Sequence, residues 1–204
     1  MFKKLATEAL GLSDIGKIIA PRDYDKVDSD DYILHEDNEK IFFLIKSKRD
    51  EYCFTNRALI HVDGASALDK KRTLRRYEYY KNPFANVSLQ TAGTIDLDVE
   101  IIFNIGQQHF NISVDKGQID RLRDLYKAIL AISEQVYSNQ TYLSFTQNSL
   151  AQAAAIVTSG RQEAVSKAEE LEKLNDYIFN WSKESYNSYN QKDFSAIFER
   201  YINN

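Results

Sequence analysis

Residues 95–136 read IDLDVEIIFNIGQQHFNISVDKGQIDRLRDLYKAILAISEQV, and they encode a strand, a turn, a second strand and a helix in succession. Every second residue of 95–105 is apolar, with Asp or Glu at three of the positions between, which is typical of a strand with one buried face. Gly106-Gln107 predicts a tight turn into the strand 108–114. The stretch therefore predicts an antiparallel hairpin with one apolar face.

A long amphipathic helix is predicted directly after this hairpin. Asp115 is a suitable N-cap, and Gln118 stands three positions later, as a capping box requires. Apolar residues then recur at helical spacing in one stripe: Ile119, Leu122, Leu125, Tyr126, Ile129, Ile132 and Val136. Because the sheet is the large apolar surface available to that stripe, we expect the helix to close an open end of a barrel or sandwich.

Five further strands are predicted upstream of this hairpin. They are the apolar or β-prone runs 41–45, 51–55, 58–62, 70–80 and 86–91, which end at turn-forming residues such as Asp63-Gly64. With the hairpin they make seven strands in meander order. The predicted fold class is α+β, a seven-stranded antiparallel barrel or sandwich capped by one helix.

Composition narrows the possible function classes. A net charge of −4 and a pI near 5.5 argue against a nucleic-acid binder, which normally carries a basic excess. The single cysteine, Cys53, excludes an internal disulfide and is expected to be a buried structural thiol in a reducing compartment. Residues 2–10 predict a short amphipathic helix that packs on the domain, and they make a poor signal peptide. We therefore expect a cytoplasmic protein.

The strand order and three stretches of sequence resemble one known family. The stretches are EKIFFLIKSKRDEYCFTNRALIHVDG (39–64), KKRTLRRYEYY (70–80) and TAGTIDLDVEIIF (91–103). They look like the bacterial pleckstrin-homology family, and the helices after the domain resemble the YvbH-like oligomerisation region of longer members. The resemblance covers the whole chain, with residues 1–132 as the domain and 133–204 as a helical-hairpin extension.

The resemblance implies a function that involves no catalysis. Members of the family form cyclic, ring-like oligomers with a hydrophilic surface where strands of adjacent protomers meet, and that surface is thought to receive a protein partner. The resemblance thus predicts a non-enzymatic, self-assembling scaffold or protein-interaction module, with no cofactor.

The extension has its own pattern. After Gly117 the chain contains no proline and one glycine, Gly160, which predicts two long helices folded back at that residue. A helix-pairing seam with 3-4-3 spacing follows the bend: Leu171, Leu174, Ile178 and Trp181. The aromatics after the bend are expected to stay partly exposed in a monomer and to mark an interface: Tyr177, Phe179, Trp181, Tyr186 and Tyr189. A last short helix capped by Asp193 is predicted to follow. A hairpin that packs only on itself or back on the domain is the alternative.

Arginine and tyrosine dominate the predicted strand 70–80. Both residue types are enriched in protein interfaces, so we expect this strand to contact another subunit or a partner. The residues assigned to this surface are Arg72, Arg75, Arg76, Tyr77 and Tyr79. A solvated face and a lipid-binding face are the alternatives.

A second basic cluster, Lys46, Lys48 and Arg49, surrounds the first strand turn. It predicts an alternative function, a peripheral module that binds anionic lipid surfaces. Asp50 and Glu51 adjoin the cluster and weaken that interpretation.

No catalytic or metal-binding pattern accompanies these surfaces in the sequence. His35, His61 and His109 are far apart and lack metal-ligand spacing. Asp96, Asp98 and Glu100 fit a solvated or interfacial strand face better than an acid/base pair. We therefore expect no metal site and no enzyme activity.

Overall fold

The computed structural model describes residues 14–64, 72–91, 97–159 and 167–202. Eight strands form two antiparallel sheets: β1 Lys17–Ile18, β2 Ile41–Lys46, β3 Glu51–Thr55, β4 Ala58–Gly64 and β5 Arg72–Glu78 in one, and β6 Phe84–Gln90, β7 Asp98–Ile105 and β8 Gln108–Asp115 in the other. All seven predicted strands are present in the predicted order. The additional strand, β1, has only two residues and pairs with the end of β2.

Three short 3-10 helical turns connect β1 to β2: Pro21–Lys26, Asp28–Tyr32 and His35–Asp37. We call this acidic segment, residues 21–37, the acidic cover. Its apolar residues Val27 and Ile33 pack on one face of the first sheet, against Leu44, Cys53 and Ile60. The sequence showed no periodicity here, because 3-10 turns are too short to establish one.

The other face of the first sheet meets the second sheet through aromatic rings. Phe54 and Phe103 pack edge to face with their centroids 6.2 Å apart, and Phe103 in turn stacks on Phe110 at 5.3 Å. The alternating residues of β7 point into this layer, as predicted: Val99, Ile101, Phe103 and Ile105 are buried. Gly106 has φ +58°, the left-handed conformation that the β7–β8 turn requires.

Helix α1, Ile119–Ser159, begins after a 3-10 turn at Lys116–Gln118. Leu122, Leu125 and Ile129 are fully buried, which confirms the capping role predicted for the stripe. The predicted capping box is wrong. Asp115 accepts from the Gly117 N–H at 2.8 Å, whereas Gln118 Oε1 accepts from the Ile18 N–H at 2.7 Å and holds β1.

The described chain divides into two compact units. One holds the described residues up to Glu134 and from Lys192 onward, and the other is Gln135–Gln191, where the second part of α1 and helix α2, Lys167–Tyr189, lie. As a boundary between independently folding domains, the division after residue 132 stays a prediction. The predicted helix 2–10 and the bend at Gly160 lie outside the described residues.

The last helix, α3 Ser195–Ile202, belongs to the unit that contains the sheets. Asp193 accepts from the Ser195 N–H at 2.8 Å, as expected of an N-cap. Phe194 and Phe198 are fully buried, and the Phe198 ring stacks on Phe42 of β2 with centroids 5.2 Å apart. The sequence assigned this helix to the hairpin extension, but its apolar face completes the core of the sheets.

Candidate interaction surfaces

Strands β5 and β6 are edge strands among the residues that the structure describes. β5 pairs only with β4, and β6 pairs only with β7. An edge strand has backbone N–H and C=O groups that no neighbouring strand pairs, and a strand of another chain can form hydrogen bonds with them. β6 also contains a register shift between Ala85 and Ser88, with Asn86 at φ +52°, which bends this edge.

Alternation along β5 sends its arginines in two directions. Arg72 and Arg76 lie opposite Gly64 and Ile60 of β4, on the face that the acidic cover shields, whereas Arg75 lies opposite His61 on the other face. Arg72 contacts Asp28 by an ion pair and stands 3.8 Å from the buried Glu51. Arg75 Nη1 in turn donates to Asp63 Oδ2 at 3.1 Å, so all three arginines predicted to face a partner contact carboxylates of their own chain, although Arg75 stays exposed.

Arg76 makes the more extensive of these contacts. Its guanidinium donates to both carboxylate oxygens of Glu39, at 2.9 and 3.1 Å, and Glu39 is only 1% exposed. Glu39 also accepts from Thr55 Oγ1 at 2.6 Å and from the Leu34 N–H at 2.9 Å. Burial alone would raise the pKa of Glu39, but these hydrogen bonds and the Arg76 charge hold it below its ordinary value.

The Glu39 contacts predict how stability depends on pH. Because the pKa is lowered in the folded state, the stability that Glu39 contributes is present above the ordinary value of 4.5 and is lost as the pH falls through the folded-state pKa. Glu39→Gln is expected to cost about 2 kcal/mol at neutral pH and to flatten the loss of stability below about pH 4.5. Urea unfolding between about pH 7 and pH 3 measures both effects. The exposed Glu36→Gln is the matched control, and equal pH slopes for the two variants would disprove the role of Glu39.

The tyrosines in and directly after β5 are less available than predicted. Tyr79 is fully buried, and its hydroxyl donates to the Ala58 carbonyl at 2.8 Å. Its assignment to a contact surface is therefore wrong. Tyr77 is half-buried with its ring 5.6 Å from that of Phe110, edge to face. The accessible surface that β5 retains is formed mainly by Thr73, Leu74 and Arg75.

Two of the three basic residues predicted at the β2–β3 turn are accessible to solvent. Lys46 is 1% exposed and donates to Glu51, which is equally buried, so the prediction that Lys46 binds anionic lipid is wrong. Lys48 is exposed, and Arg49 is exposed with its Nε 3.8 Å from Asp14. The difference follows from position, because Lys46 is the last residue of a strand that is buried on both faces, whereas Lys48 and Arg49 lie in the turn after it.

The predicted seam on α2 lies on the more protected side of that helix. Leu174, Ile178 and Trp181 are half-buried, whereas Tyr177, Phe179 and Asp176 are exposed. Leu171 lies within the helix, but its side chain is outside the described set. Within the same unit the Tyr142 ring of α1 stacks on Tyr189 of α2, with centroids 5.4 Å apart. The role of the seam in assembly stays a prediction.

Several aromatic side chains of this helical unit are exposed. Six are between 49% and 66% exposed: Tyr137, Tyr142, Phe145, Tyr177, Phe179 and Tyr186. We call this set the aromatic face. Its α1 members, Tyr137, Tyr142 and Phe145, were missed in the sequence because they follow Val136, the last residue of the apolar stripe. Single exposed aromatics are common, but six in one 57-residue unit form a candidate contact surface.

The side chains considered for catalysis have structural surroundings. Cys53 is fully buried, and burial raises its pKa, so the thiol is not a nucleophile. His61 Nε2 lies 3.0 Å from Asp50 Oδ1, and its ring stacks on Tyr52 at 4.7 Å. In the described part of the chain, no three His, Cys, Asp or Glu side chains come together as metal ligands would. None of the helices placed there combines the length and the apolar character that crossing a bilayer needs.

Comparisons with known proteins give matches over nearly all of the chain. The family model described as "Bacterial PH domain" matches residues 9–133, and the model described as "YvbH-like oligomerisation region" matches residues 144–204. A Bacillus subtilis (strain 168) protein, "Uncharacterized protein YvbH", is 53% identical over the full length of both chains. A crystal structure of a PH domain-containing protein from Exiguobacterium sibiricum 255-15 is 48% identical, with a TM-score of 0.84 over 92% of this chain and 99% of that one.

Proposed function

The chain belongs to the bacterial pleckstrin-homology family and carries a YvbH-like oligomerisation region, and from this premise we propose that it is a non-enzymatic scaffold that assembles into a closed ring. The family resemblance noted in the sequence is thereby confirmed, as is the α+β fold class. The ring presents repeated protein-binding surfaces on its outside.

The observation that carries the proposal is the aromatic face. Four of its six members fall within residues 144–204, the region that matches the oligomerisation model, and Tyr142 lies within one turn before it. Phe145 and Phe179 are each more than 60% exposed in the isolated chain. Burying large aromatic rings against a second copy gives an interface more energy per residue than other side chains do.

Two different edge strands favour a ring over a simple dimer. If β5 of one copy meets β6 of the next, the contact joins unlike surfaces, and a repeated contact of this kind closes a ring when its rotation divides a full turn. The bend in β6 restricts such pairing to a partner of matching shape. Repetition around the ring then raises avidity for a partner without any single strong contact.

A lipid-binding function is not proposed. Lys46 is buried in an ion pair, which leaves Lys48 and Arg49 as the only accessible members of the cluster that suggested it. Two cations contribute about 2 kcal/mol of attraction to an anionic surface, which is too little for stable anchoring.

Light scattering coupled to size exclusion tests the assembly. The full-length chain is expected to have an integer multiple of 23.6 kDa that does not grow with concentration. The double variant Phe145→Ser/Phe179→Ser is expected to shift to the monomer or a smaller species, because it removes one exposed ring from each helix.

The control replaces exposed polar residues of the same helices, Gln147→Ser/Lys183→Ser, and should retain the wild-type mass. A monomeric wild-type chain would refute self-assembly altogether. A mass that rises continuously with concentration would refute ring closure, and an unchanged mass in the aromatic double variant would show that the aromatic face does not carry the assembly.

A further inference from the structure

A pocket with a volume of about 350 Å³ lies at the end of the first sheet, on the side of its edge strand β5. It is bounded by the last turn of the acidic cover, the β3–β4 turn, the end of β5 and the chain just before α3. Seven side chains line it: Leu34, Asp37, Arg57, Arg76, Glu78, Tyr80 and Lys192. The volume is within the range of small-molecule sites.

Two of the five charged residues in the lining already have strong partners. Arg76 is held by both carboxylate oxygens of the buried Glu39. Glu78 Oε2 lies 2.5 Å from Lys81 Nζ, and this contact lowers the pKa of Glu78. Neither residue is therefore the main source of affinity for a further charged group.

The remaining two cations have weaker contacts. Arg57 Nε is buried, and among the described residues it has no hydrogen-bond acceptor. Asp37 lies 3.9 Å from Arg57 Nη1, beyond hydrogen-bond distance, and is itself largely exposed. Lys192 Nζ lies 5.3 Å above the Tyr80 ring and forms no ion pair among the described side chains.

Asp193 is the other carboxylate near Arg57, but it is committed elsewhere. It accepts from Asn56 Nδ2 and from the Ser195 N–H, each at 2.8 Å. Burial would raise its pKa, but these hydrogen bonds and the nearby Arg57 charge lower it, so Asp193 stays ionised. Its charge attracts Arg57 without providing an acceptor for Nε.

We propose that this pocket binds a small organic or inorganic oxyanion, with carboxylate or phosphate oxygens between Arg57 and Lys192. A ligand oxygen beside the Arg57 guanidinium provides an acceptor for a cation whose Nε has none among the described residues. Leu34 and Tyr80 provide an apolar wall for the rest of the ligand. Asp37 and Glu78 in the lining repel additional negative charge, which favours a small anion over a polyanion.

The test titrates the full-length chain separately with sodium phosphate and sodium succinate, against sodium chloride at equal ionic strength. Isothermal calorimetry gives the affinity, and the thermal-unfolding midpoint reports stabilisation by the bound anion. Arg57→Gln and Lys192→Gln are each expected to weaken binding at least tenfold. Lys127→Gln, which removes an exposed cation from α1, is expected to bind as the wild type does.

Each result bears directly on the proposal. Binding of phosphate alone identifies a phosphate-bearing ligand, and binding of succinate alone identifies a carboxylate. If neither anion binds more strongly than chloride, the proposal is overturned. It is also overturned if the Lys192→Gln variant, which changes an exposed side chain, binds with wild-type affinity.

Discussion

Phe198→Ala is expected to destabilise the sheet-containing unit by about 3–5 kcal/mol, the range for removing a fully buried aromatic ring. Phe198 is fully buried between Phe42 of β2 and Tyr79, with ring centroids at 5.2 and 6.2 Å. These neighbours belong to the first sheet or directly follow its edge strand. The cavity left by the ring could therefore be filled only if strands moved, so we expect little relaxation. Urea unfolding at one fixed protein concentration measures the loss, because assembly also contributes to apparent stability.

Two variants of the same helix separate packing from helix formation. Glu199→Ala changes an exposed neighbour of Phe198 and is expected to stay within about 0.5 kcal/mol of the wild type. Phe198→Leu retains most of the apolar volume and should cost about 1 kcal/mol. Hydrogen exchange should report the loss in β2, where Phe42 lies. If Phe198→Ala is no more destabilising than Glu199→Ala, α3 is not part of this core.

The position of α3 changes how fragments of the chain should be designed. A cut after residue 132, which the glycine and proline distribution favoured, removes Phe194 and Phe198 along with the hairpin. It would uncover the fully buried Tyr79 and the ring of Phe42. Such a fragment would be monomeric or aggregated for reasons unrelated to oligomerisation. Substitutions on the aromatic face therefore test assembly more cleanly than truncation does.

The strands were predictable because their apolar pattern is local. The alternation in 95–105 requires one buried face wherever the strand is placed, and Gly106 has the conformation that the turn needs. Helix α3 was predicted for the same reason. The surface against which α3 packs could not be predicted, because an amphipathic stripe shows which side of a helix is buried but does not identify the neighbouring element.

The candidate surfaces were less predictable because ion pairs connect residues distant in sequence. Arg72 meets Asp28 across 44 residues, and Arg76 meets Glu39 across 37. A basic strand therefore looks like a partner surface in the sequence, whereas the fold supplies its carboxylates from Asp28 of the acidic cover and from Glu39, just after that segment. Lys46 shows that even a nearby ion pair can be missed. Its partner Glu51 is only five residues away, but in the sequence Glu51 counted as a charge that weakens lipid binding and not as a buried partner of Lys46.

Lys46→Met is accordingly expected to destabilise the protein by about 3 kcal/mol, although methionine is apolar and of similar length. The reason is Glu51, which is 1% exposed and would remain charged without its closest cation. Arg72, at 3.8 Å, and the Ser29 N–H, which donates to Glu51 at 2.9 Å, compensate in part. Lys48→Met, two residues on and exposed, is the matched control and should stay within about 0.5 kcal/mol of the wild type.

A double-mutant cycle isolates the pair from the effects of each substitution. Glu51→Gln alone leaves Lys46 buried without a countercharge and should be about as destabilising as Lys46→Met. Lys46→Met/Glu51→Gln removes both charges and keeps an oxygen for the Ser29 N–H, so it should recover most of the loss, with a coupling energy of about 1–3 kcal/mol. Additive losses would mean that the two charges are stabilised independently, and a Lys46→Met variant as stable as Lys48→Met would place Lys46 at the surface after all.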